Sequence, residues 1–204
     1  MRLGIIGSGE VAETLGRLWG QCGHEVYFGV RHPESPSATA CLDRVGHGAR
    51  ALTAYDAAGA DLIVITVDVD EAAEVIQSLG DLEGRVLLDC TAGRGTSEQM
   101  DSNVEALEKH ALNARVVGSF QTVAWQALDG VQRSEVRPSL FLCGDEAESL
   151  DVVGELVHEL GLEPVQAGPL STARVLESVQ GSSHTVSATV LGAAIIAQRH
   201  VLLA

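Results

Sequence analysis

The feature that most constrains the fold is a glycine-rich stretch close to the first residue. Its sequence is Gly7-Ser8-Gly9-Glu10-Val11-Ala12. It directly follows the apolar run Leu3–Ile6, and apolar residues then recur at helical spacing as far as Cys22. A strand, a GxGxxA turn and a helix in this order are the fingerprint of a dinucleotide-binding unit. The stretch therefore predicts a Rossmann-type fold.

Each position of this turn has a physical reason. Gly7 permits the tight turn, Gly9 lets a pyrophosphate approach the backbone, and Ala12 lets the helix pack closely on the strand. The helix N-terminus adds unpaired N–H groups and a partial positive charge. A glycine turn without a ligand is the structural alternative. We expect cofactor contacts from Gly7, Ser8, Gly9, Glu10 and Val11.

Strand and helix patterns alternate along most of the remaining chain. The later predicted strands are Glu25–Phe28, Leu62–Thr66, Val86–Asp89, Arg115–Val117, Ser139–Cys143 and Glu163–Gln166. The segment His32–Thr39 contains two prolines and is expected to be a loop. This alternation predicts an α/β protein with a doubly wound Rossmann-type parallel sheet in residues 1–168. Residues 169–204 lack strand patterns, so we expect a C-terminal helical extension.

The end of the second strand indicates which dinucleotide binds. An NAD site carries Asp or Glu there, whereas this chain reads Gly29-Val30-Arg31-His32. A guanidinium at this place can pair with a 2′-phosphate through two charge-assisted hydrogen bonds. Arg31 and His32 therefore predict NADP(H), with Arg31 as a solvated surface charge being the alternative.

Other loops should join the same site, because ligands bind beyond the carboxyl ends of parallel strands. Thr66 and Val67 follow one buried run, and Thr91 and Ala92 follow the next. The two threonine hydroxyls could bond ribose or amide groups, or else simply cap the strand ends. Cys90 has no histidine near it in sequence, so it is not predicted to be a nucleophile.

Charge and cysteine content exclude several classes of partner. The chain has 13 Lys and Arg against 28 Asp and Glu, a net charge of −15. Nucleic acids and anionic membranes both favour a basic surface, so neither is an expected partner. We find no signal peptide and no apolar run of the ~20 residues that a membrane span needs. The four cysteines match no zinc-site spacing, so we expect reduced thiols, a cytoplasmic location and no metal.

Several blocks beyond the glycine turn are similar to those of a known family. They are Gly7–Ala12, Arg31, Val116–Val123, Cys143–Glu146, Ala167–Leu170 and Ala173–Ser178. Together they resemble the NADP-dependent oxidoreductases that act on the deazaflavin coenzyme F-420. The same block order is shared with the nucleotide domain of metal-reducing membrane proteins. The resemblance implies reversible hydride transfer between nicotinamide C-4 and deazaflavin C-5, with NADP as cofactor and coenzyme F-420 as co-substrate.

The acceptor site is less well indicated than the cofactor site. Gln121 and Thr122, in a loop where the family has Asn or His, and His184, in the C-terminal segment, are the substrate candidates. Hydride transfer needs mainly alignment of two rings, so no catalytic acid or base is predicted. The alternatives are an NADPH-dependent reductase of a flavin, quinone, imine or ferric chelate, and a non-catalytic NADP-binding sensor. Cationic candidates for an anionic acceptor are Arg94, Arg137 and Arg174.

A strongly apolar segment near the C-terminus predicts an oligomer. Residues 186–196 are apolar nearly all round a helix, and such a helix is buried. We expect it to form a homodimer contact, with packing against the chain's own sheet as the alternative.

Overall fold

Short runs of branched aliphatic residues, separated by glycine-rich turns, form one sheet of eight strands. The computed structural model describes residues 1–91, 102–120, 128–131 and 137–177. The strands are β1 Arg2–Ile6, β2 Glu25–Gly29, β3 Arg50–Leu52, β4 Leu62–Ile65, β5 Val86–Asp89, β6 Arg115–Gly118, β7 Ser139–Gly144 and β8 Glu163–Gly168. The helices are α1 Glu10–Gln21, α2 Pro36–Val45, α3 Ala54–Ala57, α4 Val69–Ser78, α5 Asn103–His110, α6 Leu128–Val131 and α7 Ala147–Glu159.

The strand order is β3-β2-β1-β4-β5-β6-β7-β8. The first six strands run parallel in the order of a Rossmann fold, so the predicted fold class is confirmed. One pair departs from the predicted parallel sheet, because β7 runs antiparallel to β6. A buried apolar run such as that of β7 has no feature that shows its direction, so the sequence pattern could not reveal this reversal.

The core lies on both faces of the sheet, as expected of strands without polar alternation. On one face, Ile5 and Val64 pack in a cluster with Trp19 of α1 and Val153 of α7. On the other face, the cluster includes residues of α3, α4 and α5. The short segment 170–177 contributes Leu170, Ala173 and Leu176 to this second cluster. The proposed boundary at residue 168 stays a prediction, since residues 178–204 lie outside the described part.

Two differences from the predicted elements lie between β2 and β4. The predicted loop His32–Thr39 ends earlier, because α2 begins at Pro36. Ser35 caps this helix, its Oγ accepting a hydrogen bond from Ala38 N at 3.2 Å, and proline is favoured at the first helical position. The elements β3 and α3 were not predicted, because three and four residues are too short to show a periodicity.

A glycine in the central strand lets α3 lie directly on the sheet. A Cβ atom at Gly4 would lie 2.2 Å from the carbonyl oxygen of Ala57, the last residue of α3. No side chain can be accommodated at such a distance without moving the backbone of α3. The close approach of β1 and α3 therefore depends on glycine at this position.

We predict that Gly4→Ala destabilises the protein by about 1–3 kcal/mol, the usual cost of overpacking a core. Gly130→Ala is the matched control, because a Cβ at Gly130 would meet no atom within 4 Å in the part of the chain that the structure describes. Since alanine is the better helix former, the control should be neutral or slightly stabilising. Urea unfolding of both variants measures the difference, and an unchanged midpoint for Gly4→Ala would show that α3 is not packed as described.

Candidate functional site

A cavity of about 660 Å³ opens at the carboxyl ends of β1, β2 and β4. The glycine turn after β1 forms its floor. The loop after β2, the first turn of α2 and one side of α4 as far as Ser78 form its walls. Its lining residues include Gly7, Ser8, Gly9, Val30, Arg31, His32, Ser35, Ser37, Ala54, Thr66, Val67, Asp68, Glu71, Glu74, Val75 and Ser78. The strand order changes direction between β1 and β4, and ligands of doubly wound sheets bind at this switch point.

The turn after β1 is held by contacts that only glycine permits. Gly7 has φ +126°, and its N–H donates to Gly29 O at 3.1 Å. A Cβ at Gly7 would lie 2.5 Å from Thr66 Oγ1. Thr66 in turn donates its hydroxyl to Ile6 O at 2.9 Å. The one hydroxyl proton of Thr66, a predicted cofactor residue, is therefore used in a hydrogen bond that stabilises the turn.

The N-terminus of α1 is left open toward the cavity. Gly9 is the N-cap residue and provides no side chain to bond the first-turn N–H groups. A Cβ at Gly9 would meet no atom of the described residues within 4 Å, so they leave the space beside the backbone open. Uncapped N–H groups at the positive end of a helix dipole suit a pyrophosphate. The residues present therefore fit the phosphates of a dinucleotide.

The side chains of Glu10 and Val11 contribute less than was predicted. Neither residue is among those that line the cavity. Glu10 is exposed, and Val11 packs against the core on the inner side of α1. Their backbone N–H groups belong to the open first turn, so only the backbone contacts remain as predictions.

The loop after β2 carries the positive charge of the site. Arg31 is 73% exposed and His32 is also exposed, and both line the cavity. Arg31 is the one Lys or Arg that lines the cavity among the described residues. Its Nη2 lies 3.4 Å from Oε1 of Glu71 in the first turn of α4. A carboxylate therefore stands beside this arginine in space, although the sequence Gly29–His32 contains none.

Sequence reasoning missed two serines that adjoin this arginine. Ser35 and Ser37 line the cavity at the N-terminus of α2, with their hydroxyl oxygens 3.0 Å apart. The Ser35-Pro36 pair is a helix start signal that could have found them. Three hydrogen-bonding features therefore meet at one wall: a guanidinium, two hydroxyls and a helix N-terminus.

The residues after β5 lie deeper than predicted. Thr91 is 3% exposed and does not line the cavity, so the predicted contact of its hydroxyl with a ribose or amide is not supported. Its N–H donates to Asp89 Oδ1 at 3.0 Å, while its own Oγ1 has no partner among the described residues. Val67 does line the cavity. Ala92 lies outside the described residues.

Asp89, at the end of β5, and Glu177 are buried carboxyl groups that were not singled out from the sequence. Burial raises the pKa of Asp89, which is fully buried, to about 7. Glu177 is 2% exposed, and burial raises the pKa of its carboxyl as well. Glu177 accepts hydrogen bonds from the N–H groups of Asn103 and Val104, at 2.9 and 3.3 Å, and so holds the N-terminus of α5. Asp89 Oδ2 has no partner within the described part of the chain.

The other candidate residues are buried, have partners in the fold or lie outside the described residues. Cys90 is buried, and burial raises the pKa of its thiol well above the ordinary value, which suits no nucleophile. Arg174 is paired with Glu105 at 2.7 Å, and Arg137 Nη1 lies 2.6 Å from His158 Nε2, so both have partners in the fold. The substrate candidates Gln121, Thr122 and His184, and also Arg94, lie outside the described residues.

Comparisons with known proteins agree with this geometry. Residues 2–93 match the family model described as "NADP oxidoreductase coenzyme F420-dependent". A structure from Arthrobacter sp. FB24, of a candidate F420-dependent NADP reductase, superposes with a TM-score of 0.79 at 24% identity, covering 91% of this chain and 92% of that one. An imine reductase from Myxococcus stipitatus in complex with NADP⁺ gives a TM-score of 0.68 at 18% identity, covering 91% and 61%.

A curated relative is the human metalloreductase STEAP2, which is 26% identical over 179 residues. The match covers 87% of this chain and 35% of the relative, so the chain spans about a third of that protein's length. Within the described ranges, no helix of this chain is long and apolar enough to cross a membrane.

Over residues 2–93 the chain is therefore similar to the class of NADP-dependent oxidoreductases. NADP is the cofactor of this class. Over residues 2–93 the predicted resemblance to the coenzyme F420-dependent family is confirmed.

We predict that the buried Asp89 makes stability depend on pH. Its carboxyl ionises near 3.8 in the unfolded chain and near 7 in the folded protein. Protonated Asp89 contributes fully to the free energy of unfolding below the unfolded-state pKa of 3.8. This contribution is lost as the pH rises to the folded-state pKa of about 7. Asp89→Asn keeps the acceptor for Thr91 N and cannot ionise. Its melting temperature should therefore rise relative to wild type across this range and then level off.

The matched control for this measurement is Asp43→Asn, which changes an exposed carboxyl on α2. Any pH dependence that the two variants share cannot come from burial, because Asp43 lies at the surface. If Asp89→Asn gave a constant difference from wild type, Asp89 would not be held protonated by burial.

Proposed function

We propose that this chain binds NADPH in the cavity beside Gly7 and Gly9 and transfers its hydride to a deazaflavin of the coenzyme F-420 type. The observation that carries the proposal is the family match over residues 2–93, which includes the glycine turn and Arg31. A neighbour that spans nearly all of the chain is a candidate F420-dependent NADP reductase, which supports the same acceptor.

The cofactor half of the proposal assigns a role to each wall of the cavity. The open N–H groups of the first turn of α1, beside Ser8 and Gly9, bind the pyrophosphate. Arg31 binds the 2′-phosphate, with His32 and Ser37 at the same wall. Val67 limits the cavity on the side of β4. The support for these roles is the single exposed guanidinium among the lining residues of the described chain.

NADPH, when bound, supplies the hydride, and the chain's own residues provide binding and orientation. Anchoring both phosphate groups fixes the position of the nicotinamide relative to the carboxyl ends of β4 and β5. Holding two reactants in register makes the step effectively intramolecular, which can lower the barrier by several kcal/mol. No general acid or base is assigned. Gln121, Thr122 and His184 stay predicted substrate contacts.

A second acceptor class is favoured by one observation. The curated relative that aligns with 87% of this chain is named a metalloreductase. A ferric chelate, reached directly or through a flavin, is therefore the alternative acceptor. Both reactions would use the same NADPH site. Only the part of the site beyond the nicotinamide would distinguish the two acceptors.

The proposal includes a cytoplasmic location and a homodimer. The four cysteines are free thiols in the structure, which is typical of proteins from a reducing compartment. The apolar segment 186–196, from which the homodimer was predicted, lies outside the described residues. Light scattering of the purified protein would test it, and a monomer would contradict it.

We predict that Arg31→Ala raises the Michaelis constant for NADPH by about ten- to a hundredfold, the value of charge-assisted hydrogen bonds to a phosphate. The constant for NADH should change by less than about twofold, since NADH has no 2′-phosphate. Arg50→Ala is the matched control, because it removes the same charge at the start of β3, the end of the strand far from the cavity. Equal effects of Arg31→Ala on both coenzymes would contradict the assignment.

We also predict that the purified protein oxidises NADPH in the presence of a deazaflavin of the coenzyme F-420 type. The same assay should be run with a free flavin, a ferric chelate and an imine as alternative acceptors. If NADPH were oxidised with the flavin or the ferric chelate but not with the deazaflavin, the second acceptor class would replace the first. Tight NADPH binding without turnover on any acceptor would instead favour a non-catalytic NADP sensor.

A further inference from the structure

The arginine assigned to the 2′-phosphate already has a partner in the fold. Its Nη2 lies 3.4 Å from Glu71 Oε1, and the two side chains are 73% and 52% exposed. They come from different elements, Arg31 from the loop after β2 and Glu71 from the first turn of α4. Both line the cavity, so the ion pair spans one end of the cofactor site.

The wall formed by α4 is acidic. Asp68, Glu71 and Glu74 all line the cavity, whereas the opposite wall offers Arg31 and His32. An acidic residue in the first turn of a helix is favoured by the helix dipole, which accounts for Glu71 as a helix residue. It does not account for a carboxylate placed beside Arg31, the one guanidinium among the described lining residues.

We propose that Glu71 is a specificity-determining residue. In the absence of cofactor it forms an ion pair with Arg31, and the 2′-phosphate of NADP(H) displaces it from this pair. The proposal rests on the proposed function, because it requires Arg31 to be the 2′-phosphate ligand. A coenzyme without this phosphate leaves the ion pair in place. A coenzyme that carries it exchanges one carboxylate for a phosphate with more negative charge and three acceptor oxygens.

The exchange lowers the affinity for the phosphate below what Arg31 alone would give. The ion pair must be broken, and an exposed pair contributes only a little stability, so this cost is small but not zero. The displaced carboxylate also stays in the same cavity and repels the incoming phosphate. Glu71 thus reduces the discrimination between the two coenzymes and keeps the binding of NADP(H) reversible.

Isothermal titration calorimetry with nucleotide fragments tests the proposal without any turnover. The probes are adenosine 2′,5′-bisphosphate and 5′-AMP, which differ only in the 2′-phosphate and contain no nicotinamide. The variants are Glu71→Gln, Glu74→Gln, Arg31→Ala and the double variant Arg31→Ala/Glu71→Gln. Glu74 is the matched control, since it lines the same cavity one turn further along α4 and pairs with no cation among the described residues.

We expect Glu71→Gln to tighten binding of the bisphosphate by about three- to tenfold and to change binding of 5′-AMP by less than about twofold. In the Arg31→Ala background the same substitution should change bisphosphate binding by less than about twofold. Glu74→Gln should have a distinctly smaller effect than Glu71→Gln in the wild-type background.

The outcomes separate this inference from the proposed function. If Glu71→Gln and Glu74→Gln act equally, or if Glu71→Gln weakens binding of the bisphosphate, the inference is overturned while Arg31 keeps its role. If Arg31→Ala leaves the preference for the bisphosphate unchanged, the assigned phosphate site fails, and the role of Glu71 fails with it.

Discussion

The geometry of the site depends on the turn between β1 and α1. Gly7 takes a left-handed backbone conformation, and the absence of a side chain there lets Thr66 of the neighbouring chain segment lie against it. The Thr66 hydroxyl then ties the end of β4 to the end of β1 through Ile6 O. This contact fixes the position of the α1 N-terminus at the switch point of the sheet. A larger residue at position 7 would move the turn, the helix end and the cavity together.

Electrostatics then decides what this scaffold can bind. A chain with a net charge of −15 must attract a polyanionic coenzyme through local groups rather than through its overall field. Those groups are the open N–H donors of α1, the N-terminus of α2 and the guanidinium of Arg31. Glu71 lies on the opposite wall, 3.4 Å from this guanidinium, so the cavity holds a carboxylate beside its cationic group. In the proposed function, selectivity for the 2′-phosphate would depend on the balance between Arg31 and Glu71.

The sequence predicted the parts of the fold whose physics is local. β1 and α1 were predicted almost to the residue, because an apolar run, a glycine turn and a helical periodicity follow one another without interruption. The short β3 and α3 were missed, since neither has enough residues to show a period. The reversed direction of β7 was missed because an apolar strand has the same pattern in both directions.

Local sequence patterns indicated residues whose position depends on backbone conformation. They did not indicate contacts between side chains that belong to different elements. Gly7, Gly9 and Arg31 line the cavity, while their contacts with a cofactor stay predictions. Thr91 is buried and does not line it, and its N–H is bonded to Asp89, a contact that no sequence pattern indicated. The pairing of Arg31 with Glu71 joins residues that are far apart in sequence, so no local pattern could have indicated it.

Calorimetric titration of the unmodified protein with NADP⁺ and with NAD⁺ tests the central claim most directly. If the cavity holds a dinucleotide with its 2′-phosphate on Arg31, NADP⁺ should bind at least about tenfold more tightly than NAD⁺. Equal affinities, or no heat of binding with either coenzyme, would contradict it.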